Sequence, residues 1–120
     1  MKRNAKQTAC LLAVILKRSE QTRARLSAKT IKLLAVRQNL RSAFVVELIA
    51  ALADYDWIMF ELASGGYGVV QAKALEAAKS VTARRWLTDD ERRAIRRGTE
   101  DSTAFENEVV PENSEPDEEE

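Results

Sequence analysis

Ser42-Ala43-Phe44-Val45-Val46-Glu47-Leu48-Ile49-Ala50-Ala51-Leu52-Ala53-Asp54 is followed by Trp57-Ile58-Met59-Phe60-Glu61-Leu62. Ser64-Gly65-Gly66-Tyr67-Gly68-Val69-Val70-Gln71 comes next. The first segment repeats apolar residues at helical spacing, with Phe44, Leu48, Ala51, Leu52 and Tyr55 on one stripe. The second alternates, sending Trp57, Met59 and Glu61 to one face and Ile58, Phe60 and Leu62 to the other. Glycine reaches positive φ without steric cost, so Gly65 and Gly66 suit a hairpin turn and Tyr67 to Gln71 the returning strand. The stretch predicts a helix with Ser42 as its N-cap, running into a two-stranded antiparallel hairpin.

Upstream, Ser27 is an N-cap candidate for a helix through Ala28-Lys29-Thr30-Ile31-Lys32-Leu33-Leu34-Ala35-Val36-Arg37. Ile31, Leu34 and Ala35 share a face, with Lys29 and Lys32 on or near the opposite one. Gln38-Asn39-Leu40-Arg41 breaks the pattern with a connection short enough for a helix-turn-helix. Asn4 caps a first helix whose Ala5, Ala9, Leu12, Ala13 and Leu16 recur at helical spacing. Leu11, Val14 and Ile15 widen its apolar surface, so it is buried on more than one side, and a homodimer interface is one way to achieve that. Helix propensity continues through Lys17 to Arg25 and predicts a polar extension.

Downstream, Ala72 to about Trp86 reads as one helix with Ala74, Leu75, Ala78, Val81 and Thr82 inside. Thr88-Asp89-Asp90-Glu91 is a capping box that opens a second, which Gly98 ends. The expected architecture is therefore mainly α: a three-helix core with one small hairpin, plus two C-terminal helices. It divides into a basic domain over 1–98 and an acidic, disordered tail over 99–120.

Composition excludes several chemistries. The 120 residues contain no histidine and one cysteine, Cys10. Zinc sites, serine triads and cysteine–histidine pairs lose their commonest members, so neither a catalytic set nor a metal or cofactor site is expected. A single thiol forms no internal disulfide. Cys10 reads as a small buried hydrophobe in a reducing, cytoplasmic setting. The longest apolar run, Ala9 to Leu16, is too short to span a membrane. Lys17-Arg18-Ser19-Glu20 follows it without a small-residue cleavage site, so the run is expected to be a helix of the mature protein.

The zero net charge conceals a division. Residues 1–97 hold all 19 Lys and Arg with nine acids, a balance of +10, and residues 98–120 hold ten acids and no base. A body so basic suits a polyanion or an acidic protein. Three groups stand out. Lys29, Lys32, Arg37, Gln38, Asn39, Arg41 and Ser42 surround the short connection between helices, where phosphate contacts commonly arise. Ser64, Gly65, Gly66 and Tyr67 form the hairpin tip, whose alternative role is an ordinary tight turn. Arg92, Arg93, Arg96 and Arg97, with Arg84 and Arg85, crowd like charges at i,i+4 spacing. They call for an anion nearby: Asp89 and Asp90, the acidic tail or a phosphate backbone. The tail serves either solubility or, as a nucleic-acid mimic, the shielding of the basic face.

The order helix, helix, helix, glycine-tipped hairpin over Ala5 to Gln71 resembles the winged helix-turn-helix family. The resemblance implies binding of duplex DNA, often in transcriptional regulation and commonly as a dimer, with Gly65 to Gly68 at the wing tip. The chain departs from that pattern in its third helix. Only Ser42, Glu47, Asp54 and the preceding Arg41 are polar there, which leaves little to read base edges. The same fold also serves protein contacts in small phage and mobile-element inhibitors. An inhibitor or adaptor for a host protein, such as a defence nuclease complex, is therefore the alternative expectation.

Overall fold

The computed structural model describes residues 1–110, which form two compact units, Met1–Ala78 and the segment beginning at Lys79. The first unit runs α1 (Ala5–Ser19), β1 (Arg23–Leu26), α2 (Ala28–Ala35), α3 (Ser42–Ala53), β2 (Trp57–Glu61), β3 (Tyr67–Gln71) and α4 (Ala72–Glu76). Its strands make one antiparallel sheet in the order β1-β3-β2. The second unit holds α5 (Ala83–Trp86), α6 (Asp89–Arg97) and α7 (Ser102–Val109). The mainly helical class is as expected, but the hairpin is part of a three-stranded sheet.

The core is apolar. Ala5, Ala9, Leu12 and Leu16 of α1 join Phe44, Val45, Leu48 and Leu52 of α3, Ile31 and Ala35 of α2, and Trp57, Met59, Tyr67 and Val69 of the sheet. Thr8 is the one buried polar side chain among them, and its hydroxyl donates to the Asn4 carbonyl at 2.9 Å. Asn4 caps α1 through a complete capping box with Gln7.

Several expected boundaries move for physical reasons. Helix α1 stops at Ser19 because Glu20 turns left-handed, at φ 59°. The expected helical extension through Arg25 is instead the edge strand β1, where Ala24 pairs with Val69 and Leu26 with Tyr67. Pairing with β3 and burial of Leu26 outweigh a modest helix propensity. Arg41, not Ser42, holds the N-cap position of α3, and no side chain caps that helix. The helix expected over 72–86 breaks into α4 and α5, leaving Leu75 half-exposed and Val81 82% exposed. A stripe left exposed gains little from helix formation, and Thr82 instead caps α5 by accepting from the Arg85 amide. Residues 102–109, expected to be disordered, form α7 under an Asp101 cap. The acidic end over 111–120 lies outside the described residues. Among the described residues, four short helices thus follow the sheet where two were expected.

Two helices end with the same hydrogen-bonded stop but different residues. At α6 the left-handed position belongs to Gly98, and the Gly98 and Thr99 amides donate to Ile95 and Ala94 carbonyls. At α2 it belongs to Val36, at φ 54°, with the Val36 and Arg37 amides donating to Leu33 and Lys32. A β-branched residue in this region costs about 1–2 kcal/mol. Val36→Gly is therefore expected to gain about 0.5–1 kcal/mol after glycine's unfolded-state entropy is subtracted. The gain would appear as a higher urea midpoint at unchanged slope. Leu48→Ala, at a fully buried position between α1 and α3, is expected to lose about 3 kcal/mol in the same measurement.

Candidate nucleic-acid interface

The end of α2, the turn to α3 and the first residues of the chain enclose a cleft of about 650 Å³. Lys2 lines one side. Lys32, Leu33 and Val36 of the α2 end line another, and Arg37, Gln38, Asn39 and Arg41 supply the turn. Four basic side chains thus converge with two side-chain amides, and among the described residues no carboxylate lines the cleft. The Val36 bend makes this possible, since it folds the chain back so that Arg37 to Arg41 face the α2 end.

Arg3 and Arg37 hold the cleft together. The Arg3 amide donates to Ala35 O at 2.9 Å, and its Nη1 donates to Leu34 O at 2.8 Å, satisfying carbonyls that a helix end leaves open. Arg37 answers with Nε and Nη2 donating to the Arg3 carbonyl at 3.3 and 2.9 Å. Its guanidinium lies 4.0 Å over the Phe44 ring. Arg37, expected as a nucleic-acid ligand, is thus half-buried and already engaged. Its role is to lock the first residues to the starts of the turn and α3. Lys2, Lys32 and Arg41 remain as the cations able to turn to a ligand.

The remaining predicted residues divide. Lys29 and Ser42 are exposed but outside the cleft lining. No side chain hydrogen-bonds the first amides of α3, which follow Arg41. Along α3, Val45 is buried, Ile49 is half-buried against the core and Val46 is 65% exposed. The outward residues Ala43, Val46, Glu47, Ala50 and Asp54 include two carboxylates and no base.

The glycine turn is tight. Leu62 N–H donates to Gly66 O and Gly65 N–H to Leu62 O, both at 3.0 Å, so the Gly65 amide is spent within the turn. Gly65 and Gly66 sit at φ 105° and 77°. Tyr67, expected at the hairpin tip, is buried in the core and leaves no open ring face there. Gly65, Gly66 and Tyr67 share a hollow with Arg25, Ser27 and Ala28 at the opposite end of α2 from the cleft. The helix's own length, about 12 Å for eight residues, separates the two groups.

In the second unit, Arg92 pairs with Asp89 and Arg93 with Asp90. Arg92 also donates to the Arg84 carbonyl at 2.8 Å, and the Arg85 guanidinium stands 5.5 Å from the Trp86 ring centroid. Asp89 and Asp90 therefore supply the expected counter-charge for two of the four arginines on α6. Arg96 and Arg97 form no ion pair among the described residues.

Cys10, expected to be buried, is exposed on α1. A hydrogen bond with its thiol is the main cause that raises the Tyr55 phenol above the ordinary tyrosine range. Lys2 and Arg25 were missed by sequence reasoning. Their only signal was the general basicity of the first 25 residues.

Arg37→Ala is expected to destabilise the fold by about 1–2 kcal/mol, since it removes hydrogen bonds to a backbone carbonyl and a cation–π contact. Arg41→Ala, at an exposed position without such partners, is expected to stay within about 0.5 kcal/mol. Denaturant titration of the two variants separates the locking residue from the free one. Comparison of the chain with protein-family models, curated proteins and solved structures finds no match, so the role of these residues is read from their own geometry.

Proposed function

We propose that this chain is a small cytoplasmic winged-helix protein that grips the phosphate backbone of duplex DNA and reads little sequence with its third helix. The basic cleft at the α2–α3 turn, lined by no carboxylate among the described residues, carries the proposal. Lys2, Lys32 and Arg41 provide mobile positive charge there. Gln38, Asn39 and the uncapped amides of α3 provide neutral donors for phosphate oxygens. The element order α1-β1-α2-α3-β2-β3, with sheet order β1-β3-β2, supports the winged-helix reading. In that reading the glycine turn and Arg25 meet the backbone a helix length away from the cleft.

The face of α3 argues against strong base recognition. Glu47 and Asp54 repel phosphates, and alanines offer no bidentate contact to a base edge. Sequence preference would then come from duplex shape and deformability. A homodimer through α1 fits the same reading, because Val14 and Ile15 stay partly exposed on its outer side. Regulation of transcription is the role that the resemblance implies.

A second reading, a protein-binding inhibitor or adaptor, is favoured by the exposure of Val46 among alanines on α3. A stoichiometric protein partner found together with no DNA affinity would select it.

The test is fluorescence anisotropy of the full-length protein on two unrelated duplexes across a salt series. Affinity is expected to fall linearly in logarithmic coordinates and nearly equally for both sequences. Lys32→Ala combined with Arg41→Ala is expected to reduce the slope by about 2, at about 0.9 per lost phosphate contact. No binding at about 50 mM salt, or an unchanged slope in the double variant, sinks the proposal.

A further inference from the structure

The sheet has a second face. In one row across the strands, Arg23, Val70 and Ile58 point away from the core, and in the next, Arg25, Gly68 and Phe60 do. Their neighbours Ala24, Leu26, Tyr67, Val69, Trp57 and Met59 turn inward. A three-stranded antiparallel sheet with one face in water normally places polar residues outward. Here β2 is apolar on both faces over Trp57 to Phe60, as in strands covered on both sides. Ile58 is 41% exposed and Phe60 46%.

The outer face is also shaped. Gly68 lacks a side chain where a Cβ would come within 2.9 Å of the Phe60 ring, so the ring lies across β3 toward Arg25. Phe60, Leu62, Val70, Arg23 and Arg25 line an open, mostly apolar hollow of about 490 Å³, which no carboxylate lines among the described residues. Neither arginine forms an ion pair among the described residues.

We propose that this outer sheet face docks an acidic amphipathic helix of a partner protein. Helices cover sheets by laying an apolar stripe across them, as α1, α2 and α3 do on the inner face. The apolar row Ile58, Phe60 and Val70 takes the stripe. Arg23 and Arg25, one strand over, take carboxylates on the helix flank, and bidentate geometry favours arginine for that role. Single-stranded nucleic acid is the weaker match, since base stacking uses aromatic platforms and Phe60 is the one aromatic ring here. This docking face is separable from the α2–α3 cleft, because none of its residues lines that cleft; Arg25 alone is shared with the proposed backbone contact at the glycine turn.

The test uses the full-length, isotope-labelled protein and a synthetic amphipathic helical peptide with leucines on one face and glutamates on the other. A control peptide carries lysines for the glutamates. The glutamate peptide is expected to shift the amides of Arg23–Leu26, Ile58–Leu62 and Gly68–Val70 saturably, and the lysine peptide is not. Arg23→Glu with Arg25→Glu, both solvent-exposed changes, is expected to weaken the glutamate peptide at least about tenfold, as is Phe60→Ser. Lys32→Ala with Arg41→Ala is expected to leave it unchanged. Three results overturn the proposal: equal binding of both peptides, shifts centred on Lys32 to Arg41, or no saturable shift. So would an oligothymidine that shifts the same sheet residues more tightly than the peptide. If Phe60→Ser unfolds, the arginine pair decides alone.

Discussion

The packing of α1 on α3 is the contact on which the first unit depends. Leu12, Leu48 and Leu52 are fully buried, and each helix presents small residues, Ala5, Ala9 and Ala51, that let the two approach closely. Burial of side chains of this size contributes about 1.5–3 kcal/mol each, a large share for so small a unit. It also constrains function. A helix that gives Phe44, Val45, Leu48 and Leu52 to the core keeps only a narrow outward strip, and on α3 that strip is alanine, valine and carboxylate. The chemistry able to meet a polyanion is displaced to the ends of the helices.

That displacement explains the arrangement of charge. Cations gather where backbone turns bring distant segments together, at the α2–α3 turn with Lys2 and at the hairpin turn with Arg25. On α6 the pattern is different. Acids in the first turn and arginines in the last complement the helix dipole, and the Arg92 and Arg93 pairs relieve the crowding of like charges. Such exposed pairs are worth about 0–1 kcal/mol each, enough to orient side chains but too little to hold a unit together.

Features governed by neighbours in sequence were legible. The caps at Asn4, Ser27 and Thr88, the stop at Gly98 and the alternation of Trp57 to Phe60 all rest on contacts within a few residues. Features governed by distant partners were not. Strand β1 exists because Ala24 and Leu26 meet Val69 and Tyr67, more than forty residues away. Without that partner, Lys17 to Arg25 reads as helix. The stripe from Ala74 to Thr82 had the right period, yet its Leu75 and Val81 stand exposed. The basic turn at Gln38 to Arg41 was visible as a candidate site. The division of labour within it was hidden, because the partners of Arg37 are the carbonyl of Arg3 and the ring of Phe44.

Val36 carries this coupling one step further. A glycine at the end of α2 would let the bend form on its own, because glycine accepts left-handed backbone freely. Valine prefers to be extended, so this bend is spring-loaded: its own backbone pushes toward opening it. The forces that keep it closed are the two amide bonds of the helix stop and the clasp between Arg3 and Arg37. The cleft is thus mechanically tied to the first residues of the chain. Drawing Arg3 away from the end of α2 removes the clasp and leaves the bend between Lys32 and Arg41 held by the two amide bonds alone.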